Sequence, residues 1–238
     1  MKYMGSKNRI AKEILPIMLE KRENRTWVEP FVGGANMIDK VEGKRIGADI
    51  NEYLIKALRI IRDDPNTIPD LITEDDYKKA KTEMRLDGMT GFIGFAMSFG
   101  GKWFGGYRRD VAGSKGDIEN MKTQTRRSKQ NAIEQSKKLK GVGFVCSKYN
   151  ELDIPPKSLI YCDPPYEGTT AYKDGFNHTE FWDWCRQKAK EGHIIFVSEY
   201  NAPNDFKCVW EKTIVSSLTK DTGSKVATER LFLYCNNV

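Results

Sequence analysis

Histidine is nearly absent from this 238-residue chain, which has only His178 and His193, and its five cysteines (Cys146, Cys162, Cys185, Cys208 and Cys235) stand far apart. No C-x-x-C pair occurs, so a zinc site lacks its usual ligands, and the odd-numbered thiols read as buried groups of a reducing compartment. No metal is expected. No apolar run approaches the roughly 18 residues of a membrane span. Behind Met1-Lys2-Tyr3-Met4-Gly5-Ser6-Lys7 there is no signal-type apolar stretch, which predicts an intracellular, cytoplasmic protein with no membrane partner. No internal repeat or low-complexity stretch is present. Ser198-Glu199-Tyr200-Asn201 follows a buried-type strand and is a candidate to line a site, but no histidine lies near it in sequence, so no nucleophilic triad is legible there.

What is present is the composition of a globular protein, 39% hydrophobic and 30% charged, in a chain long enough for one large α/β domain carrying an insertion. The net charge of +6 is regional. Between Lys102 and Lys140 there are 11 Lys or Arg against 4 Asp or Glu, a surplus of +7, which leaves −1 for the remainder. Such a segment is either a solvated helix face or a surface for a polyanion.

Along the chain, Ser6 is placed to cap a helix with Ile10, Ile14, Ile17 and Met18 on one face, and Pro16 marks a kink or stop. A strand near Thr26-Trp27-Val28 runs into Glu29-Pro30-Phe31-Val32-Gly33-Gly34-Ala35-Asn36. A second strand, Arg45 to Ala48, ends at Asp49, and Asn51 caps a helix carrying Leu54, Leu58 and Ile61. This opening predicts a doubly wound, mostly parallel sheet. Two helical segments lie between Thr73 and Phe99. Two glycine pairs then bracket aromatics from Gly100 to Arg109, which suggests a hairpin or extended loop. A long polar helix covers Ile118 to Leu139. Strands resume near Gly143, Leu159, Ile194, Cys208 and Arg230, with a helix from Thr179 to Lys190. The expected organisation is an α/β domain of residues 1–53 and 141–238 interrupted by a mainly helical insertion, residues 54–140.

The most chemically specific element is Asp163-Pro164-Pro165-Tyr166, which closes the apolar run Leu159-Ile160-Tyr161-Cys162. Two prolines fix φ and remove two donors, leaving the carbonyls of Asp163 and Pro164 free to face a ligand. A carboxylate, a rigid carbonyl and a ring suit an exocyclic amine on a flat base. The Glu29 to Asn36 loop follows the first sheet strand, where nucleosides bind in such folds. It has neither the G-x-G-x-x-G nor the G-x-x-x-x-G-K-[ST] spacing, so it supports no dinucleotide fingerprint and no P-loop. Asp49 ends the next strand, where a carboxylate can accept both hydroxyls of a ribose. Together these favour a nucleoside cofactor without a pyrophosphate.

Over nearly its whole length the chain resembles the Dam-type (D12 class) N6-adenine DNA methyltransferases, which use S-adenosylmethionine and have a class I, Rossmann-like fold. Tyr3-Met4-Gly5-Ser6-Lys7 is similar to the family opening whose aromatic and lysine help bind the cofactor, with Ser6 in place of a second glycine. Glu29-Pro30-Phe31-Val32-Gly33-Gly34 resembles the cofactor loop, and Ala48-Asp49-Ile50-Asn51 carries the ribose-binding aspartate. Phe144 to Tyr149 is similar to the segment that sets an aromatic near the cofactor adenine, and Asp163 to Tyr166 to the catalytic motif. The resemblance implies cofactor contacts from Tyr3, Lys7, Glu29, Pro30, Phe31, Gly33, Gly34, Asp49, Ile50, Phe144, Tyr149 and Asp163. It makes the insertion a target-recognition domain, although the segment near Tyr107 matches the family's basic hairpin only loosely.

Double-stranded DNA is then the expected partner, methylated on adenine N6 at a short sequence after base flipping. Lys102, Arg108, Arg109, Arg126, Arg127 and Lys129 are candidate phosphate contacts, with Trp103, Phe104 and Tyr107 as wedges or packing. Lys220 and Lys225 offer a second basic turn. The same grip fits the amine of cytosine, so N4-cytosine methylation is an alternative, as are a catalytically inactive DNA-binding relative and methylation of RNA or a protein amide. No Pro-Cys dipeptide is present to support covalent attack at cytosine C5. The expected state is a monomer or weak dimer.

Overall fold

The computed structural model describes residues 1–109, 116–167, 175–216 and 225–235. Among the described residues there are seven strands and six α-helices, in the order α1 (Ala11–Glu20), β1 (Trp27–Glu29), β2 (Arg45–Asp49), α2 (Glu52–Asp63), α3 (Glu74–Glu83), α4 (Gly88–Ala96), α5 (Ile118–Leu139), β3 (Val142–Cys146), β4 (Leu159–Cys162), α6 (His178–Lys190), β5 (Ile194–Glu199), β6 (Phe206–Ser216) and β7 (Lys225–Tyr234). The strand order is β3-β2-β1-β4-β5-β7-β6. The pairs β2–β3, β1–β4 and β4–β5 are parallel, whereas β7 runs antiparallel to both β5 and β6. This is the expected mostly parallel, doubly wound sheet with flanking helices. The parallel strands β1, β4 and β5 are short and mostly buried because a parallel strand covered on both faces has no polar side; β4 is buried at all four positions.

Contacts divide the chain into two compact units, one of Met1–Arg9 with Val32–Tyr149 and one of Ile10–Phe31 with Asn150–Val238. That division does not follow the expected boundary at residues 53/54. The reason lies in α2, which packs on β2 and β3 as well as on α4 and α5, so the helical segment shares one core with those strands.

In the first unit, Asn51 caps α2 by accepting the Leu54 N–H, and Thr73 with Asp76 forms a reciprocal capping box on α3. Helix α4 carries glycine at 88, 91 and 94, one stripe along the helix. A Cβ on these residues would collide with Ile60, the Tyr53 carbonyl and Trp103 respectively, so the stripe is what lets α2 and Trp103 approach so closely. After α4 the chain makes a short hairpin, with Phe99 N–H on Gly106 O at 2.8 Å and Arg108 N–H on Met97 O at 2.8 Å. Helix α5 spans the residues expected of it.

In the second unit, α1 begins at Ala11 behind Ile10, and Pro16 lies inside it. Ser6 does not cap this helix; its Oγ accepts the Asn8 N–H at 3.3 Å within a separate turn of 3-10 helix, Lys7–Arg9. Two strands outgrow their expected limits. β6 and β7 pair from Phe206↔Tyr234 to Ser216↔Lys225, whereas β5 accompanies β7 only from Phe196↔Leu233 to Glu199↔Arg230. The two strands therefore continue as a ribbon past the end of β5.

Candidate active site

In the first unit, the loop Val32–Asn36 is tied to β2 by the Val32 N–H on the Ala48 carbonyl, 2.8 Å. Gly33 has φ +48°, and a Cβ there would lie 3.0 Å from the Tyr3 ring. At Gly34 a Cβ would sit 2.6 Å from the Met1 carbonyl and 2.7 Å from both Tyr3 Cβ and Asn36 Nδ2. The glycine pair is therefore set by the opening segment, residues 1–3, lying on it. Tyr3 in turn packs on Phe95, centroids 5.3 Å apart. Lys7 is buried, one turn further on.

Asp49 stands at the carboxyl end of β2. Its Oδ1 accepts the Asn51 N–H at 2.9 Å and its Oδ2 the Gly33 N–H at 3.4 Å. Burial pushes its carboxyl up to about 6, against the pull of those N–H donors. Each oxygen keeps a lone pair for a further donor. Ile50, immediately after, is 67% exposed. Phe144 is buried in β3 with the Arg62 guanidinium 5.7 Å from its ring centre, while Tyr149, beyond the strand, is half-buried. Of these two aromatics, Tyr149 has ring surface to offer.

In the second unit, Glu29 ends β1 buried, accepting the Trp27 indole N–H at 2.7 Å. Pro30 is buried, and the half-buried Phe31 meets Phe176 and Phe181 edge-on, both at 5.8 Å. β4 delivers Asp163 half-buried at its end, then Pro164 buried and Pro165 and Tyr166 half-buried. The Tyr166 hydroxyl donates to Glu229 Oε2 at 2.7 Å, and its ring stands at 80° to that of Tyr200, 4.6 Å away. Burial first, then the charges of Asp163 and Glu229, hold the phenol well above its ordinary range, so it remains a donor. Glu199 ends β5 and is buried. Its carboxylate accepts the N–H groups of Tyr200 at 2.7 Å and Glu167 at 3.2 Å.

Of two further acids here, the sequence pointed to Glu199, within Ser198 to Asn201, as a candidate lining of the site, and did not single out Glu229. Glu199 had a weak signal, since it lies in a tetrapeptide following a buried strand. Glu229 had none, because its partner is 63 residues away.

The expected DNA contacts sort into two groups. Trp103 packs against Phe95, Phe104 and Tyr53, with centroids 4.7, 4.6 and 5.0 Å apart. Phe104 is buried, as is Tyr107, whose hydroxyl donates to the Ile72 carbonyl at 2.7 Å and is pushed up to about 12 by burial and by Glu74. Arg108 donates to Gln124 and Ser128, Arg109 forks onto Glu74, and Lys129 meets Asp70. Lys102, Arg126 and Arg127 are exposed. Lys220 lies outside the described residues; Lys225 opens β7, paired with Ser216. Among the described residues, no group of three or more His, Cys, Asp or Glu is placed to hold a metal, and no helix is long and apolar enough to cross a membrane.

The family model for D12 class N6 adenine-specific DNA methyltransferases matches residues 3–91 and 107–225. Type II methyltransferase M.FokI of Planomicrobium okeanokoites is 24% identical over 206 residues, which is 77% of this chain but 31% of that protein. Type II methyltransferase M.MjaIII of Methanocaldococcus jannaschii is 24% identical over 216 residues, 76% of this chain and 73% of that one. Among solved structures, the rRNA methyltransferase aviRa of Streptomyces viridochromogenes aligns over 98% of this chain and 86% of its own, at 11% identity and a TM-score of 0.49.

Proposed function

The chain belongs to the D12 class N6 adenine-specific DNA methyltransferases, and from that premise we propose that it methylates N6 of adenine in double-stranded DNA at a short sequence, with S-adenosylmethionine as donor. Most of the weight falls on Asp163-Pro164-Pro165-Tyr166, standing at the end of the buried strand β4 with its tyrosine already anchored.

The first unit suits the cofactor. Asp49 is a carboxylate lifted by burial and only partly satisfied by backbone donors, so two ribose hydroxyls would stabilise its charged form. The Gly33-Gly34 backbone carries no side chain, and Tyr3, Lys7, Ile50 and Tyr149 flank the same loops in sequence and resemblance. When bound, the cofactor supplies an electrophilic sulfonium methyl.

The second unit suits the amine. The lone pair on adenine N6 is delocalised into the ring and is a poor nucleophile. The Asp163 carboxylate and the Pro164 carbonyl accept the two N6 hydrogens, which localises that lone pair and stabilises the positive charge that develops on nitrogen. The prolines hold both acceptors in place beforehand, so positioning rather than acid–base power does the catalysis. Because N6 lies inside the duplex, the base is flipped out, and Tyr166 stacks on its face. DNA phosphates meet the cations that the fold leaves exposed, Lys102, Arg126 and Arg127.

Incubation with labelled S-adenosylmethionine and mixed-sequence DNA, followed by digestion to nucleosides, is expected to yield N6-methyldeoxyadenosine. Label in N4-methyldeoxycytidine would overturn the adenine assignment. Wild-type protein that binds DNA without turnover would overturn the enzyme.

A further inference from the structure

We infer that Glu229 is a positioning residue for methyl transfer, fixing the Tyr166 ring at the angle from which it receives the flipped base. This rests on the functional reading above and adds to it a residue outside every motif that the family resemblance covers.

The prolines set the backbone of the tetrapeptide only as far as residue 165. The Tyr166 side chain still turns about two bonds, and stacking on a flat base is sensitive to the plane of the ring. Something must hold its far end. Glu229 does so by accepting the hydroxyl at 2.7 Å, a bond strengthened by the acceptor's charge. The flank of the ring is held by Tyr200 at 4.6 Å and 80°. Arg230, the next residue of β7, donates to the Tyr200 carbonyl and, at 3.1 Å, to Glu211 of β6. Adjacent residues of one strand thus hold both tyrosines. The backbones beneath them are joined by Glu199, which accepts the N–H of Glu167 and of Tyr200.

The place of Glu229 in the sheet explains why this strand does the holding. β5 ends at Glu199 opposite Arg230, and Glu229 is the first β7 residue beyond that end, paired only with Lys212 of β6. It therefore stands at the rim of the sheet, on the two-stranded ribbon that β6 and β7 form past the end of β5. A carboxylate there has a donor to meet in Tyr166.

The test compares Glu229→Leu, which removes the acceptor, Glu229→Gln, which keeps an acceptor oxygen, and Tyr166→Phe, which removes the donor. Turnover at saturating DNA and DNA affinity are measured separately, with 2-aminopurine at the target position to report stacking of the flipped base. Glu229→Leu and Tyr166→Phe should each lower kcat by roughly tenfold to a hundredfold with little change in DNA affinity. Both should leave the 2-aminopurine less quenched, Glu229→Gln should recover most of kcat, and the double variant should fall no further than either single one. Tyr166→Phe tests the same bond even if Glu229→Leu folds poorly. Unimpaired Glu229→Leu, or fully multiplicative losses in the double variant, would overturn the role of Glu229 while wild-type methylation leaves the functional reading standing. Absence of transfer by the wild type would overturn both.

Discussion

Glu199 Oε2 accepts the backbone N–H of Glu167 at 3.2 Å, so the end of β5 holds the residue that follows Tyr166. The carboxyl is buried beside the charges of Asp163 and Glu167, and burial is the main cause that lifts it from 4.5 to about 7. A carboxyl raised in the folded state binds its proton more tightly there than in the unfolded chain. Its stabilising contribution is therefore complete below about pH 4.5 and is lost as pH rises through 7. For a shift of this size the loss is on the order of 3 kcal/mol. Glu199→Gln removes the titration, so the variant should gain melting temperature relative to wild type at pH 8 and lose the advantage near pH 5. Calorimetry across that range checks it, and parallel stability curves for the two proteins would exclude the linkage.

Gly34→Ala should damage cofactor binding more than folding. The added methyl would press on the Met1 carbonyl at 2.6 Å and on Tyr3 Cβ at 2.7 Å, and the opening segment has to move. Overpacking of this kind costs roughly 1–3 kcal/mol, which most domains survive. Titration calorimetry with S-adenosylmethionine should show weakened binding by a protein that still melts cooperatively. Unchanged affinity would mean that the loop plays no part in holding the cofactor.

The fold was legible where the chain's own periodicity decides it. Asn51 caps α2 as its residue type predicts, and α5 runs from Ile118 to Leu139 because polar helix formers fill it without a breaker. The strand end at Asp163-Pro164-Pro165-Tyr166 was legible because two prolines after an apolar run leave little freedom. Which strands α2 covers was not, because that is a matter of tertiary packing. Trp103, Phe104 and Tyr107 looked equally suited to DNA and to a core; the glycine stripe of α4, which makes room for Trp103, was in the sequence but has meaning only once α4 is placed. Glu229 was invisible because a hydrogen bond between residues 166 and 229 leaves no local pattern.

The edge of the sheet carries its own protection. Arg62 donates to the Val142 carbonyl and Arg59 to the Phe144 carbonyl, both at 2.7 Å, so alternate acceptors along β3 are occupied by guanidinium groups of α2. An edge strand with open acceptors is a template for intermolecular pairing. The double variant Arg59→Ala, Arg62→Ala should stay folded by circular dichroism yet form oligomers at concentrations where the wild type shows none by light scattering. Equal scattering by both would make these arginines mere packing.

Among the described cations of segment 102–140, Arg108, Arg109 and Lys129 are bonded within the protein, whereas Lys102 and Arg126 are exposed and available to replace counterions on DNA. Arg109 is forked onto Glu74, at 2.8 and 2.5 Å, and Arg108 is bonded to Gln124 at 2.6 Å. Lys102 and Arg126 are exposed. Each phosphate contact contributes about 0.9 to the slope of log affinity against log salt concentration. Lys102→Ala and Arg126→Ala should therefore each reduce that slope by about 0.9 and weaken binding to all sequences alike. Arg108→Ala and Arg109→Ala should leave the slope nearly intact and lower the melting temperature instead, since each leaves a partner unsatisfied, a loss of roughly 1–3 kcal/mol. Fluorescence anisotropy at several salt concentrations, beside thermal melts, separates the two classes. A slope that falls for Arg109→Ala as much as for Lys102→Ala would show that the Glu74 pair opens to meet DNA.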